Sequence, residues 1–260
     1  MIGETFGQFC ANLNALRRSD APEVAHQARV AWRRFKSACS LFKPLLNKAE
    51  MPDRQALVPL LTFLGELRDI DVLLGETLPP LRDDYVAHDS TRAKIWSATL
   101  QALYRAGAIQ RSAVRYALED PAVGVCLLQT TLWLEQMSVR RSSVEGKTDR
   151  LRQSPLRPWA KRRVTRQHTR MKQASQLAND AVSLHKLRIL AKRTRYGIEA
   201  LRGVLPSHLA RKWHREAVNM QRRIGIDRDI ELAIVLLGQI EAAAEIVALL
   251  RGFAAGRRSA

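Results

Sequence analysis

Apolar residues recur every three or four positions through most of the chain, and no stretch alternates convincingly between apolar and polar residues. The first pattern is typical of amphipathic helices and the second of strands, so the sequence predicts an all-α protein. The predicted helices span residues 4–18, 21–47, 53–78, 89–106, 109–118, 121–140, 159–177, 181–204, 207–223, 227–242 and 244–252. For the second helix, Asp20 is the expected N-cap, with Pro22 in the first turn and Glu23 completing a capping box.

The stretch from Arg141 to Pro158 is polar and contains a glycine and two prolines. Such a composition is typical of a connection between helical segments. We therefore expect a single domain over residues 1–260 that consists of two helical halves, 1–145 and 155–260.

A short basic pattern occurs twice, with its histidines 159 positions apart. In each copy three cations follow a histidine at spacings of three, four and three residues. The two sets are His26, Arg29, Arg33 and Lys36, and His185, Arg188, Lys192 and Arg195. On a helix that turns about 100° per residue, each set falls within an arc of about 80°. Four chargeable groups on one stripe repel each other in a free helix, so these stripes are expected to meet a polyanion.

The repetition extends beyond the two stripes. An Asp-Ala pair precedes each stripe, and the segment 64–72 (LGELRDIDV) resembles the segment 224–232 (IGIDRDIEL) at a constant offset of 160. The order of cap, stripe and Gly-x-x-Arg-Asp segment is the same in both halves. An internal repeat of this length predicts two similar helical bundles with a pseudo-twofold relation, produced by an internal duplication.

The charge balance of the chain says little about the fold and more about the kind of partner it binds. The chain has 43 Lys and Arg against 25 Asp and Glu, a formal charge of +18, which indicates an anionic ligand. Nucleic acid, an anionic membrane and an inorganic polyanion are all compatible with the charge alone. Three scattered cysteines favour a reduced intracellular setting, and the amino terminus lacks the pattern of a signal peptide. Because the most apolar segment, 232–240, is too short to span a bilayer, we expect a cytoplasmic protein without a membrane partner.

With these motifs in order, the chain resembles the CHAD family, the conserved-histidine α-helical domain. The resemblance rests on His-x-x-Arg-Val-x-x-Arg-Arg-x-Lys at 26–36, Leu-Gly-x-x-Arg-Asp-x-Asp-Val at 64–72 and His-Lys-x-Arg-Ile-x-x-Lys-Arg-x-Arg-Tyr at 185–196. It covers nearly the whole chain. Ile224 and Glu231 in the second Gly-x-x-Arg-Asp segment depart from the commoner Leu and Asp.

The resemblance implies two four-helix bundles around a basic central groove or channel, and a module that binds inorganic polyphosphate, in some members on polyphosphate granules. Because the Glu-x-Glu-x-Lys motif of the CYTH domain is absent, the chain resembles a stand-alone member. A further basic run on 161–172 either contacts the polyanion or forms a solvated face. The candidate polyphosphate-binding residues are His26, Arg29, Arg33, Arg34, Lys36, Arg163, Arg166, Arg170, His185, Arg188, Lys192, Arg193 and Arg195.

The histidines and aspartates of the motifs allow more than one role. His26 and His185 either contact phosphate directly, are hydrogen-bonded within the bundle, or serve in phosphohistidine formation or metal ligation. If they contact phosphate, affinity is expected to strengthen as pH falls from about 8 to 6. In the pairs Arg68–Asp69 and Arg228–Asp229, we expect each aspartate to hold a basic side chain of the stripe in position. Gly65 and Gly225 are expected to permit a close approach of helices.

Two other functions compete with polyphosphate binding. Nucleic-acid binding is compatible with the charge and is expected to be weak and non-specific at low salt, since no recognised nucleic-acid-binding motif is present. An enzyme acting on phosphoanhydrides would need a magnesium site, and no suitable carboxylate pair is visible in the sequence. We therefore expect no catalytic residue, no metal site and no cofactor. The sequence predicts no particular oligomeric state.

Overall fold

The computed structural model describes residues 1–46, 50–139, 155–239 and 244–259, and within these ranges the chain forms helices and no strand. The all-α prediction is therefore confirmed. The α-helices are α1 Ile2–Leu16, α2 Pro22–Phe42, α3 Val58–Val72, α4 Arg82–Val86, α5 Ser90–Glu119, α6 Pro121–Val139, α7 Leu156–Leu177, α8 Ala181–Leu201, α9 Ser207–Gln239 and α10 Ala244–Ser259. No helix in this part of the chain is long and apolar enough to cross a lipid bilayer.

Two helices are longer than predicted, because each continues through a glycine that lies in the gap between two predicted helices. Helix α5 continues through Gly107 and joins the predicted helices 89–106 and 109–118. Helix α9 likewise continues through Gly225. A single glycine weakens a helix interior by only about 1 kcal/mol, and Gly107 is buried against Ile70 of α3. Packing of Gly107 against α3 therefore helps to keep α5 continuous.

Other helix ends follow local signals more closely. Helix α2 ends at Phe42, earlier than predicted, because Pro44 follows in a short 3₁₀ turn at Lys43–Leu45. Helix α3 begins only at Val58, with proline in its first turn. The predicted connection 141–158 lies outside the described residues up to residue 154, and Leu156 already belongs to α7.

The two predicted caps behave differently. Asp180 caps α8, because its carboxylate accepts a hydrogen bond from the backbone N–H of Ser183. In return, the hydroxyl oxygen of Ser183 accepts a hydrogen bond from the backbone N–H of Asp180. The hydrogen bond to the carboxylate holds the pKa of Asp180 below its usual value. Helix α2 begins at Pro22, so Ala21 rather than Asp20 is the residue that precedes it, and the Asp20 carboxylate accepts a hydrogen bond of 2.6 Å from Arg115. The prediction therefore placed the N-cap of α2 one residue too early.

Two compact units make up the chain. The first unit contains Met1–Cys10, Val30–Asp53 and Val125–Gly225, so it draws residues from before and after the predicted connection. Its core includes an aromatic cluster of Phe6, Phe9, Trp32 and Phe35, and a stacked pair, Phe42 and Trp159, with ring centroids 5.4 Å apart. Helices α7 and α8 pack closely, and Gly197 of α8 leaves room for the side chain of Gln167.

The second unit contains Ala11–Arg29, Arg54–Gly124 and Ile226–Ala260. Its core joins leucines of the α3–α4 region to Trp96 and Leu103 of α5 and to Ile230 and Leu237 of α9. Asp71 is buried and lies 3.0 Å from the guanidinium of Arg111. Burial raises the pKa of Asp71, and the positive charges of Arg111 and Arg68 oppose that rise.

Candidate functional site

The second basic stripe lies on α8, and the sequence places it on the flank of that helix. Leu187, Ala191 and Ile198 are buried and define the packed face of α8. At about 100° per residue, the stripe is centred about 100° from the middle of this face. His185 and Arg193 are exposed, whereas Arg188, Lys192 and Arg195 are half-buried. The long side chains can therefore pack their stems on the helix surface while their charged ends point toward water.

The first stripe on α2 is divided between the two units. Arg33, Arg34 and Lys36 belong to the first unit, where Arg33 is half-buried and the other two are exposed. His26 and Arg29 belong to the second unit and are half-buried. The helical placement predicted for the stripe is thus present along Pro22–Phe42.

Arg29 rests against Gly65 of α3 inside the second unit. A Cβ atom at position 65 would lie 2.6 Å from Nη1 of Arg29, so a larger residue there would displace this guanidinium from its present position. Gly65 therefore permits close approach of an arginine side chain rather than of a helix backbone. Gly225, the repeat-related glycine, has open space around its Cβ direction among the residues that the structure describes, so no close approach of a described residue is seen there.

Glu199 brings the two basic motifs together within the first unit. Its carboxylate lies 3.3 Å from Nε of Arg195 on α8 and 3.9 Å from Nη2 of Arg34 on α2. The same carboxylate lies 3.0 Å from Nε2 of His214 on α9. Three cationic or protonatable groups surround one acid, so Glu199 holds them in place while the local charge stays positive.

The basic run on 161–172 lies on α7, and within it Arg163 differs from Arg166 and Arg170. Arg163 donates hydrogen bonds of 3.1 Å and 3.0 Å to the carbonyl oxygens of Leu41 and Ser40, at the end of α2. Burial lowers the pKa of Arg163, and the nearby charges of Arg166 and Arg170 lower it further. Arg163 thus stabilises the carboxyl end of α2, while Arg166 and Arg170 are exposed on the same helix.

A buried histidine of α7 is satisfied within the helices. His168 lies 2.7 Å from the carboxylate of Glu216 and stacks on Trp213 with a centroid distance of 4.7 Å. Burial alone would raise the pKa of Glu216, but the hydrogen bond from His168 and the charges of His168, Lys172 and Lys212 together lower it. His168, rather than the exposed His185, is therefore a histidine with a clear structural role.

The comparisons with known proteins agree with these motifs. The family model of the CHAD domain matches residues 1–238. The chain belongs to the CHAD family. The crystal structure of the CHAD domain from the plant Ricinus communis is similar, with a TM-score of 0.78 and 25% sequence identity over 100% of this chain and 84% of that chain. No curated protein matches the chain.

In this CHAD domain, the repeated Gly-x-x-Arg-Asp segments contribute to one small cavity of the second unit. Asp69, Val72 and Leu73 line it, together with the residues 160 positions later, Asp229, Leu232 and Ala233. Residues at equivalent positions of the two segments thus face the same space. Arg68 pairs with Glu76, and Arg228 is exposed. The expected support of stripe side chains by Asp69 and Asp229 stays a prediction.

The residues that organise the CHAD domain differ in whether the sequence indicates their contacts. Glu199 and Arg195 are four residues apart on α8, so their ion pair could be predicted from helical spacing. The pairs His168–Glu216, Arg111–Asp71 and Arg115–Asp20 join positions 40 or more apart, which no local pattern indicates. Within the described ranges, no three His, Cys, Asp or Glu side chains are close enough to hold a metal ion.

Proposed function

We propose that this CHAD domain is a non-enzymatic module that binds inorganic polyphosphate. The observation that carries the proposal is the meeting of both basic motifs at Glu199, where Arg34 of the first motif and Arg195 of the second contact one carboxylate. Helix α7 packs closely on α8 and adds the exposed Arg166 and Arg170. The first unit therefore presents cations from three helices.

Polyphosphate suits such a surface because it carries about one negative charge per phosphate along a flexible chain. Rows of cations can neutralise successive phosphates and release bound counterions, as basic proteins do on nucleic acids. Arginine offers a planar fork to two phosphate oxygens, and lysine acts as a point charge. A mixture of both tolerates the irregular path of a flexible polyanion. The resemblance to the CHAD family supports the same ligand.

The proposal includes a preference for long chains. Each further phosphate can meet a further cation, so multivalent contact raises the apparent affinity without new chemistry. A domain of this kind would reside in the cytoplasm and could attach to polyphosphate granules through the same surface.

The test is calorimetric titration with long-chain polyphosphate at about 150 mM salt, with duplex DNA and pyrophosphate titrated in parallel, because electrostatic affinities depend on salt. We expect tight binding to long-chain polyphosphate, much weaker binding to pyrophosphate, and no displacement of polyphosphate by DNA. Comparable or tighter binding to DNA would make nucleic acid the ligand. Release of orthophosphate or shortening of the chain during long incubation would contradict a non-enzymatic role.

A further inference from the structure

A basic cleft lies in the first unit, outside the stripe residues. It is a cleft of about 270 Å³ where the carboxyl end of α8 meets the first half of α9. The cleft is lined by Ile198, Glu199, Arg202, Ala210, Arg211, His214 and Arg215. Ile198 and Ala210 are buried and form an apolar floor, while Arg202, Arg211 and Arg215 are exposed.

The charges around this cleft are unbalanced. Among the residues that the structure describes, Arg202, Arg211 and Arg215 have no acidic partner. The only lining acid, Glu199, already lies within 4 Å of Arg34, Arg195 and His214. Arg211 and Arg215 are four residues apart on one helix, where like charges repel. Such a cluster is stabilised by an anion that lies between the guanidinium groups.

The cleft continues the basic row of α8. After His185, Arg188, Lys192 and Arg195, the spacing of four and three residues leads to Glu199 and Arg202. On a helix these positions lie on the same flank as the stripe. An anion chain that follows the stripe toward the carboxyl end of α8 would therefore arrive at the cleft.

The size and lining of the cleft restrict the ligand. Small-molecule sites commonly measure about 300–1,000 Å³, so a cleft of about 270 Å³ admits only a compact ligand. The lining contains no Phe, Tyr or Trp on which a nucleobase could stack. Guanidinium forks match the paired oxygens of phosphate groups. These features favour a short run of linked phosphates.

We propose that the cleft formed by Arg202, Arg211 and Arg215 binds a short oligophosphate, either free or as the end of a longer polyphosphate chain. The choice of phosphate among anions rests on the proposed function, but the anion site itself rests on the charges and shape of the cleft. It is a binding site separate from the stripes.

The experiment titrates triphosphate into the full chain by calorimetry at fixed salt. The test variant is Arg211→Gln with Arg215→Gln, and the matched control is Lys94→Gln with Arg105→Gln on α5, which removes the same charge from exposed positions outside the cleft. We expect the test variant to weaken triphosphate binding at least about tenfold, because two charge-assisted contacts are lost. The control should stay within about twofold of the unchanged protein, since surface charges at a distance are screened. Equal binding by the test variant, or an equal loss in the control, would overturn the proposal.

Two further titrations separate this site from the stripes and identify the source of the phosphates. The variant Arg166→Gln with Arg170→Gln should weaken long-chain binding and leave triphosphate binding unchanged; loss of triphosphate binding there would overturn a separate cleft. If only the proposed function fails, triphosphate should still bind to the cleft, and long-chain polyphosphate should bind no more tightly than triphosphate. Long chains whose terminal phosphates are blocked as phosphoramidates should bind more weakly if the cleft takes chain ends, and equally well if it takes free oligophosphate.

Discussion

Replacement of Arg166 and Arg170 by glutamine offers a direct test of the polyphosphate surface. Both side chains are exposed on α7 and make no ion pair with any residue that the structure describes. Glutamine keeps much of the side-chain stem and a good helix propensity, so the free energy of unfolding should change by less than about 0.5 kcal/mol. A change in binding can therefore be attributed to charge.

The expected magnitude follows from the two contacts that are lost. Each exposed arginine–phosphate contact contributes about 1 kcal/mol at physiological salt, so the double variant should raise the Kd for long-chain polyphosphate about 30-fold. Each lost contact with a single-stranded polyanion also reduces the slope of log K against log salt by about 0.7, which gives a change of about 1.4. The assay is calorimetric titration at several salt concentrations.

The matched control is Lys94→Gln with Arg105→Gln on α5. These exposed cations carry the same total charge and lie outside the proposed surface. The control should bind polyphosphate with nearly unchanged affinity and an unchanged salt slope. If the control loses as much affinity as the test variant, net charge rather than a defined surface drives binding, and the assignment of α7 is wrong.

Three further predictions concern the frame that holds the surface. Gly65→Ala should displace the guanidinium of Arg29 and weaken polyphosphate binding, and this displacement should offset part of the stability that alanine brings to a helix. Gly225→Ala meets open space in a helix and should raise stability by about 0.5–1 kcal/mol, so urea unfolding should show a smaller gain for Gly65→Ala than for Gly225→Ala. Arg163→Met should reduce stability by about 2 kcal/mol, because two backbone carbonyls of α2 lose their donor, and unchanged urea unfolding would refute that role. The pKa of Glu216 is lowered in the folded state, so its stabilising contribution is present above the usual carboxyl pKa and is lost as pH falls through the folded value. Glu216→Gln should therefore lose part of the stability at neutral pH and show a weaker decline of stability with acid, measured by unfolding between pH 7 and 3.

The features that the sequence determined are those with a local physical cause. Helical periodicity acts over three or four residues, so the helices and the stripe on α8 followed from the spacing of apolar and basic residues. The Asp180 cap depends on Ser183, three residues away, and was also accessible. The CHAD motifs carried the family assignment for the same reason, since they are contiguous in the chain.

Tertiary structure decided which side chains meet. Arg163 was predicted as a ligand-binding residue from its spacing, but its guanidinium donates to carbonyls more than 120 positions away. The continuity of α5 through Gly107 depends on packing against α3, which offsets a local weakness of about 1 kcal/mol. The arrangement of Arg34, Arg195 and His214 around Glu199 requires three helices to come together. Pairing across such separations depends on how the helices pack, and the periodicity of residues within one helix does not predict it.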